Sequence, residues 1–261
     1  MNGPQFIRRL AAEGRSQFTF LDASRALGGS PTAVRAVIRR LKMQGLVAMP
    51  LRGFYVIVPP EYTALRCLPA DQFVPSLMNF LGVPYYVGLL SAAERHGAAH
   101  QRPQEFQVVT DHARADIVCG GVRVGFVSRR NVSEMPTVTM NTPRGFLRVA
   151  TPEVTAIDLV TYPRRVGGLD LIATVLVELA ERIDPDALAE IASRGADIAV
   201  VQRLGYLLDR VGASDRTDAL AALVAHRARR PVRLVTNLPA DGTPLDRRWR
   251  LRVNADIEVD L

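Results

Sequence analysis

The chain has 261 residues, room for one large domain or two ordinary ones, and its 48% hydrophobic and 23% charged residues are globular rather than disordered in balance. No apolar run approaches the roughly 20 residues of a membrane span, and residues 1–14 lack the apolar core and small-residue cleavage site of a secretory signal, so a cytoplasmic chain without membrane contact is expected. The net charge of +7 lies entirely within residues 1–60, which hold nine bases (Arg8, Arg9, Arg15, Arg25, Arg35, Arg39, Arg40, Lys42 and Arg52) against Glu13 and Asp22. The remainder is balanced. A segment with that asymmetry suits a polyanion, because each neutralised phosphate releases condensed counterions; the plain alternative is a solvated basic face.

Taken in chain order, residues 4–14 read as a first helix with Phe6, Ile7 and Leu10 on one face and Gly14 as its stop. Residues 17–20 are a short extended segment, and 21–27 a second helix ended by Gly28 and Gly29. Residues 30–45 carry the sharpest local signal. Ser30 is an N-cap, Pro31 takes the first helical position where its missing N–H costs nothing, and Gly45 closes the end. Residues 46–49 and 54–58 are two strands joined by a turn at 50–53. Helix, short strand, helix, tight turn, helix and hairpin is the order of a winged helix-turn-helix.

At 100° per residue, Val34, Val37, Ile38 and Leu41 of the third helix face a core. Thr32, Ala36, Arg39 and Met43 fall on the opposite side, flanked by Arg35 and Arg40. Small residues ringed by guanidinium groups suit a major-groove reader, since arginine can hold guanine O6 and N7 through two parallel hydrogen bonds. Arg52 at the hairpin turn is placed as a wing contact to backbone or minor groove. The predicted DNA-binding residues are therefore Ser30, Thr32, Arg35, Arg39, Arg40, Lys42 and Arg52.

Beyond residue 60 the spacing predicts helices over 61–81 and 84–97, a helical linker region at 61–100, and strands between 105 and 150. Helices return over 152–228, and residues 231–235 and 247–254 read as strands. The expected class is α+β: a winged helix-turn-helix over 1–60 followed by a larger mixed α/β domain over 61–261. In the last strand Arg248, Arg250 and Arg252 would share one face and Trp249, Leu251 and Val253 the other, leaving open a second phosphate-contacting surface.

Candidate chemistry is sparse. Thr151, Pro152 and Glu153 read as a helix start, with Asp158 a buried polar anchor rather than a catalytic carboxylate. A nuclease built on acids with a nearby lysine lacks that lysine, because Lys42 is the only one in the chain. His96, His100 and His112 could suggest a metal, but Gly97 to Ala99 weaken the helix that would align the first two. Neither a metal site nor a cofactor is expected, and no phosphate loop or nucleophile elbow occurs. Cys67 and Cys119 are expected to be buried thiols that bridge only if the fold brings them together.

Several strings, in order, resemble the AbiEi antitoxins. They follow the winged-helix start: residues 85–93 from Tyr85 to Ala93, Gln107 to Thr110, Gly145 to Glu153 leading into Thr155 to Val160, Gln202 to Leu208, and Trp249 to Asn254. The resemblance implies a bacterial toxin–antitoxin pair whose toxin is a nucleotidyltransferase. It also implies an autorepressor that binds double-stranded DNA repeats in its own promoter, cooperatively, as a monomer or weak dimer. On that reading the chain is a non-enzymatic DNA-binding regulator. A DNA-targeted nuclease, or an adaptor that contacts the toxin protein directly, is the alternative.

Overall fold

A computed structural model describes residues 1–98 and 103–259, and these divide into two compact units. The first comprises Met1–Val87, Gln104–Glu134 and Thr139–Arg148; the second comprises Gly88–Pro103, Met135–Val138 and Val149–Leu261.

The first unit opens with α1 (Gly3–Ala12), β1 (Gln17–Thr19), α2 (Phe20–Leu27), α3 (Pro31–Met43), β2 (Val47–Leu51) and β3 (Phe54–Ile57). Each helix starts where a side chain satisfies backbone N–H groups that have no partner within the helix. Asn2 and Gln5 cap α1 reciprocally, as Thr19 and Asp22 cap α2, and Ser30 Oγ accepts from Ala33 N at 3.3 Å to open α3. The strands pair in the order β1-β3-β2, and β3 is buried on both faces. Tyr55 and Ile57 join Phe6, Leu10, Phe18, Val34, Ile38 and Leu41 beneath the helices. Phe54 and Val56 join a second core with Phe73, Leu77, Val108 and Val124. The alternation of side chains along a strand divides the two cores.

That second core is supplied by α4 (Ala70–Leu81) and by a six-stranded sheet in the order β6-β7-β5-β4-β9-β8. Its strands are β4 (Tyr85–Val87), β5 (Phe106–Thr110), β6 (Ile117–Cys119), β7 (Val122–Ser128), β8 (Thr137–Thr142) and β9 (Gly145–Ala150). β4 runs antiparallel to β5, β5 parallel to β7, and β6 antiparallel to β7. Two segments differ from the sequence expectation. Residues 61–69 are not a continuous helix, because Arg66 sits at φ 53° and Pro69 precedes α4 in an extended conformation. Tyr85–Val87 is a strand rather than the start of a helix, its aromatic and β-branched residues paired inside the sheet.

The second unit is mainly helical: α5 (Leu89–Arg95), α6 (Pro152–Thr161), α7 (Leu169–Leu179), α8 (Pro185–Gly195), α9 (Ile198–Arg210) and α10 (Asp218–Arg227). α6 is buried nearly all round, Glu153, Thr155 and Asp158 included, and packs against α5, α7, α8 and α9. The chain ends in a small sheet of β10 (Val232–Arg233), β11 (Leu245–Asp246) and β12 (Leu251–Arg252) in the order β10-β12-β11.

The long strand expected over 247–254 is thus confined to Leu251 and Arg252. Arg250 adopts φ 47°, and the preceding turn drives Trp249 into the interior with no exposed surface. There the indole rests on Gly205 of α9, where a Cβ would lie 2.0 Å from the ring, and its Nε1 donates to Asp209 at 2.7 Å. Arg248 folds back onto Asp209, Thr217 and Asp218 instead of joining a row of free arginines.

Candidate nucleic-acid interface

The outward face of α3 begins at its N-terminus. Ser30 and Thr32 are exposed there, beside the cap that Ser30 makes to Ala33 N. Val34, Ile38 and Leu41 hold the opposite side of the helix in the core, while Val37 is half-buried against Gly3. Arg35, Arg39, Arg40, Lys42 and Met43 are exposed, Met43 to 81%. The angular assignment of the two faces therefore matches the burial.

Charge pairing separates these bases from others in the same unit. Arg9 is bound to Glu13 at 3.1 Å, and Arg15 lies 3.4 Å from Asp22. Among the described residues none of Arg35, Arg39, Arg40, Lys42 and Arg52 has an acidic partner within salt-bridge range. Arg35 is oriented instead by an aromatic ring, its guanidinium carbon 5.2 Å from the centre of Phe20, the first residue of α2. Arg40 Nε reaches back to Ala36 O at 3.5 Å.

Arg35, Arg39, Lys42 and Met43 border a surface depression of about 330 Å³, with Ile38, Met49 and Tyr55 completing its lining. The Tyr55 ring stacks on Phe18 at 5.2 Å, which locks it against the helical core. Burial pushes the Tyr55 hydroxyl above its ordinary range, against the opposing pull of the Arg35 charge. The sequence reading did not include Tyr55, Met49 or Phe20. Period-two alternation in β3 carried the only signal for Tyr55, and nothing in sequence spacing pairs Phe20 with Arg35.

Arg52 and Gly53 form a two-residue turn between the paired Leu51 and Phe54, and Gly53 supplies φ 85°. Gly53 O accepts from Phe20 N at 3.3 Å, while the Phe54 ring lies 5.5 Å from Phe80 of α4. The turn is short and tied down on both sides, with Arg52 exposed at its tip.

The other candidate residues lie apart from this surface. His96 Nε2 is 2.7 Å from Ala150 O in a buried site; His112 is exposed beside Asp111; His226 lies in the last turn of α10. His100 lies outside the described residues. Among the described residues no group of His, Cys, Asp and Glu could hold a metal ion. Asp158, within α6, has no exposed surface, and Glu153 in its first turn accepts from Asp184 N at 2.9 Å through Oε1, so both carboxylates are buried and Glu153 ties α6 to the start of α8. No described helix is long and apolar enough to cross a membrane.

Comparison with known proteins bears on the fold of nearly the whole chain and on the family of one region. The crystal structure of the RV2827C protein from Mycobacterium tuberculosis is similar over 94% of this chain and 88% of its own, with a TM-score of 0.69 and 21% identity. At that identity the likeness is one of fold. No curated protein matches the sequence. Residues 86–210 match the model of the AbiEi antitoxin C-terminal domain, spanning β4 to the end of α9. The resemblance seen in the sequence is borne out over these residues: they are similar to the C-terminal domain of the AbiEi antitoxins, which supports an antitoxin role in a toxin–antitoxin system.

Proposed function

We propose that residues 1–60 are a winged helix-turn-helix domain and that the protein is an antitoxin that also represses its own operon by sequence-specific binding to double-stranded DNA. The observation that carries this reading is the set of basic side chains on the outer face of α3 and at the hairpin turn, exposed and without acidic partners. Such a surface is costly for the isolated protein through mutual repulsion and is relieved by phosphates. α3 enters the major groove. Arg35 and Arg39 read bases, Arg40, Lys42 and Arg52 hold phosphates, and the capped N-terminus with Ser30 and Thr32 approaches the backbone. The partner in the operon is a nucleotidyltransferase toxin.

Titrating the full chain against a labelled duplex of its own promoter at low salt, beside a scrambled duplex, tests the reading. Tight binding to the promoter with a clear preference over the scrambled sequence is expected. Equal, weak affinity for both would remove sequence-specific repression, and no binding to either would remove the DNA-binding role itself.

A further inference from the structure

Cys67 lies in the connection before α4 and Cys119 ends β6, yet the fold joins their segments within the first unit. Leu65 O accepts from Gly121 N at 2.8 Å, and a Cβ at Gly120, which holds φ 58°, would lie 2.1 Å from that same oxygen. The backbone before Cys67 is therefore pressed onto the turn after Cys119, a closeness that only glycine permits. Arg66, between them, is held at φ 53°, a conformation uncommon for a residue with a Cβ, and this turns Cys67 inward. Both side chains are buried in one core cluster, where Cys119 pairs with Val122 across the β6–β7 ladder, and the two thiols are near enough to shift each other's titration. Cys67 has no exposed surface, whereas Cys119 is 8% exposed.

We propose that Cys67 and Cys119 are a reversible redox dithiol, which hydrogen peroxide converts into an intramolecular disulfide. The Leu65–Gly121 contact brings the two cysteine segments together inside one core, and closing the bond requires the sulfurs at about 2 Å. Their roles are unequal. Cys119 keeps some exposure and Cys67 has none, so peroxide meets Cys119 first; the facing Cys67 thiol pulls the Cys119 thiol below its ordinary range against the opposing effect of burial. The Cys119 thiolate attacks the peroxide, breaks the O–O bond and becomes a sulfenic acid as hydroxide leaves. Cys67 sulfur then attacks Cys119 sulfur, the S–O bond breaks, and the departing hydroxyl takes the Cys67 proton. With the proton first released by Cys119, two thiols and one peroxide yield one disulfide and two waters. An added dithiol reverses the bond by exchange. The Met49 backbone that meets Cys119 belongs to β2, so the bond would form directly behind the hairpin that carries Arg52.

The test uses the full chain treated with hydrogen peroxide, then denatured and alkylated. Both thiols should disappear together, the mass should fall by two hydrogens, and digestion should give one Cys67–Cys119 crosslinked peptide that dithiothreitol releases. Cys67→Ala, or Cys67→Ser if alanine packs poorly, should abolish the crosslink and leave Cys119 to gain oxygen. Three results would overturn the proposal: oxygen added at Cys119 of the unsubstituted protein while Cys67 stays free, disulfide dimers between chains, or two free thiols after a treatment that fully oxidises the urea-unfolded chain. Peptide mapping of the unsubstituted protein decides the matter even where both variants fold badly.

Discussion

If Arg35 and Arg39 read bases while Arg40, Lys42 and Arg52 hold phosphates, the salt dependence of DNA binding is set by three contacts per bound chain. With a slope of about −0.9 per phosphate, log affinity should change by about −2.7 per decade of salt, so binding weakens roughly 40-fold between 50 and 200 mM. Were all five bases on phosphates, the slope would be about −4.5 and the loss roughly 500-fold. Lys42→Ala should bring the slope to about −1.8, shrinking the loss to roughly 12-fold, with sequence preference unchanged. Arg39→Ala should leave the slope alone but cost about 1–3 kcal/mol on the promoter and relax preference at one base pair. Fluorescence anisotropy at four salt concentrations, with promoter and single-base variants, measures both quantities. The division of roles is refuted if Arg39→Ala lowers the slope as Lys42→Ala does while every variant duplex keeps its rank.

Three further outcomes follow from packing and capping. Gly205→Ala places a methyl into the Trp249 ring and should destabilise by on the order of 3 kcal/mol, read as a lower urea midpoint; pairing it with Trp249→Leu should cost less than the two changes summed. Ser30→Ala removes the α3 cap and should cost about 1 kcal/mol in thermal unfolding, with weaker promoter binding as the first turn frays. Burial alone would raise the Asp22 carboxyl, but hydrogen bonds from Thr19 and the Arg15 charge outweigh it and hold the group below its ordinary value of 3.8. Its stabilising effect is therefore complete above that value and fades as pH falls through the lower folded one; Asp22→Asn should lose this part of the acid dependence, and an unchanged acid-unfolding curve would contradict it.

The sequence reveals α3 because everything that defines it is local: a Ser30 cap, Pro31 at the first position, Gly45 after the end and a 3.6-residue apolar stripe. The same locality exposes its basic outer face. What escapes sequence reading depends on partners distant in the chain. Three residues such as Tyr85–Val87 become a strand because β5 and β9 flank them. Tyr55 joins the candidate interface only because β3 turns that side chain toward α3, and no spacing announces that Cys67 meets Cys119.

The resemblance strings show the same principle at longer range. Residues 202–208 and 249–254 read as separate signatures, yet Gln202 Nε2 donates to Trp249 O at 3.0 Å and to Arg250 O at 2.8 Å. Arg203 Nε donates to the carbonyls of Arg233 and Leu234, and Gly205 makes room for the indole. The two strings are the halves of one latch that fastens the terminal sheet to α9, the last helix within residues 86–210. Trp249, outside that span, is therefore held by its final helix: the matched region needs residues 228–261 to bury the Gly205 face of α9, and truncation after α10 should expose that face and unfold the second unit.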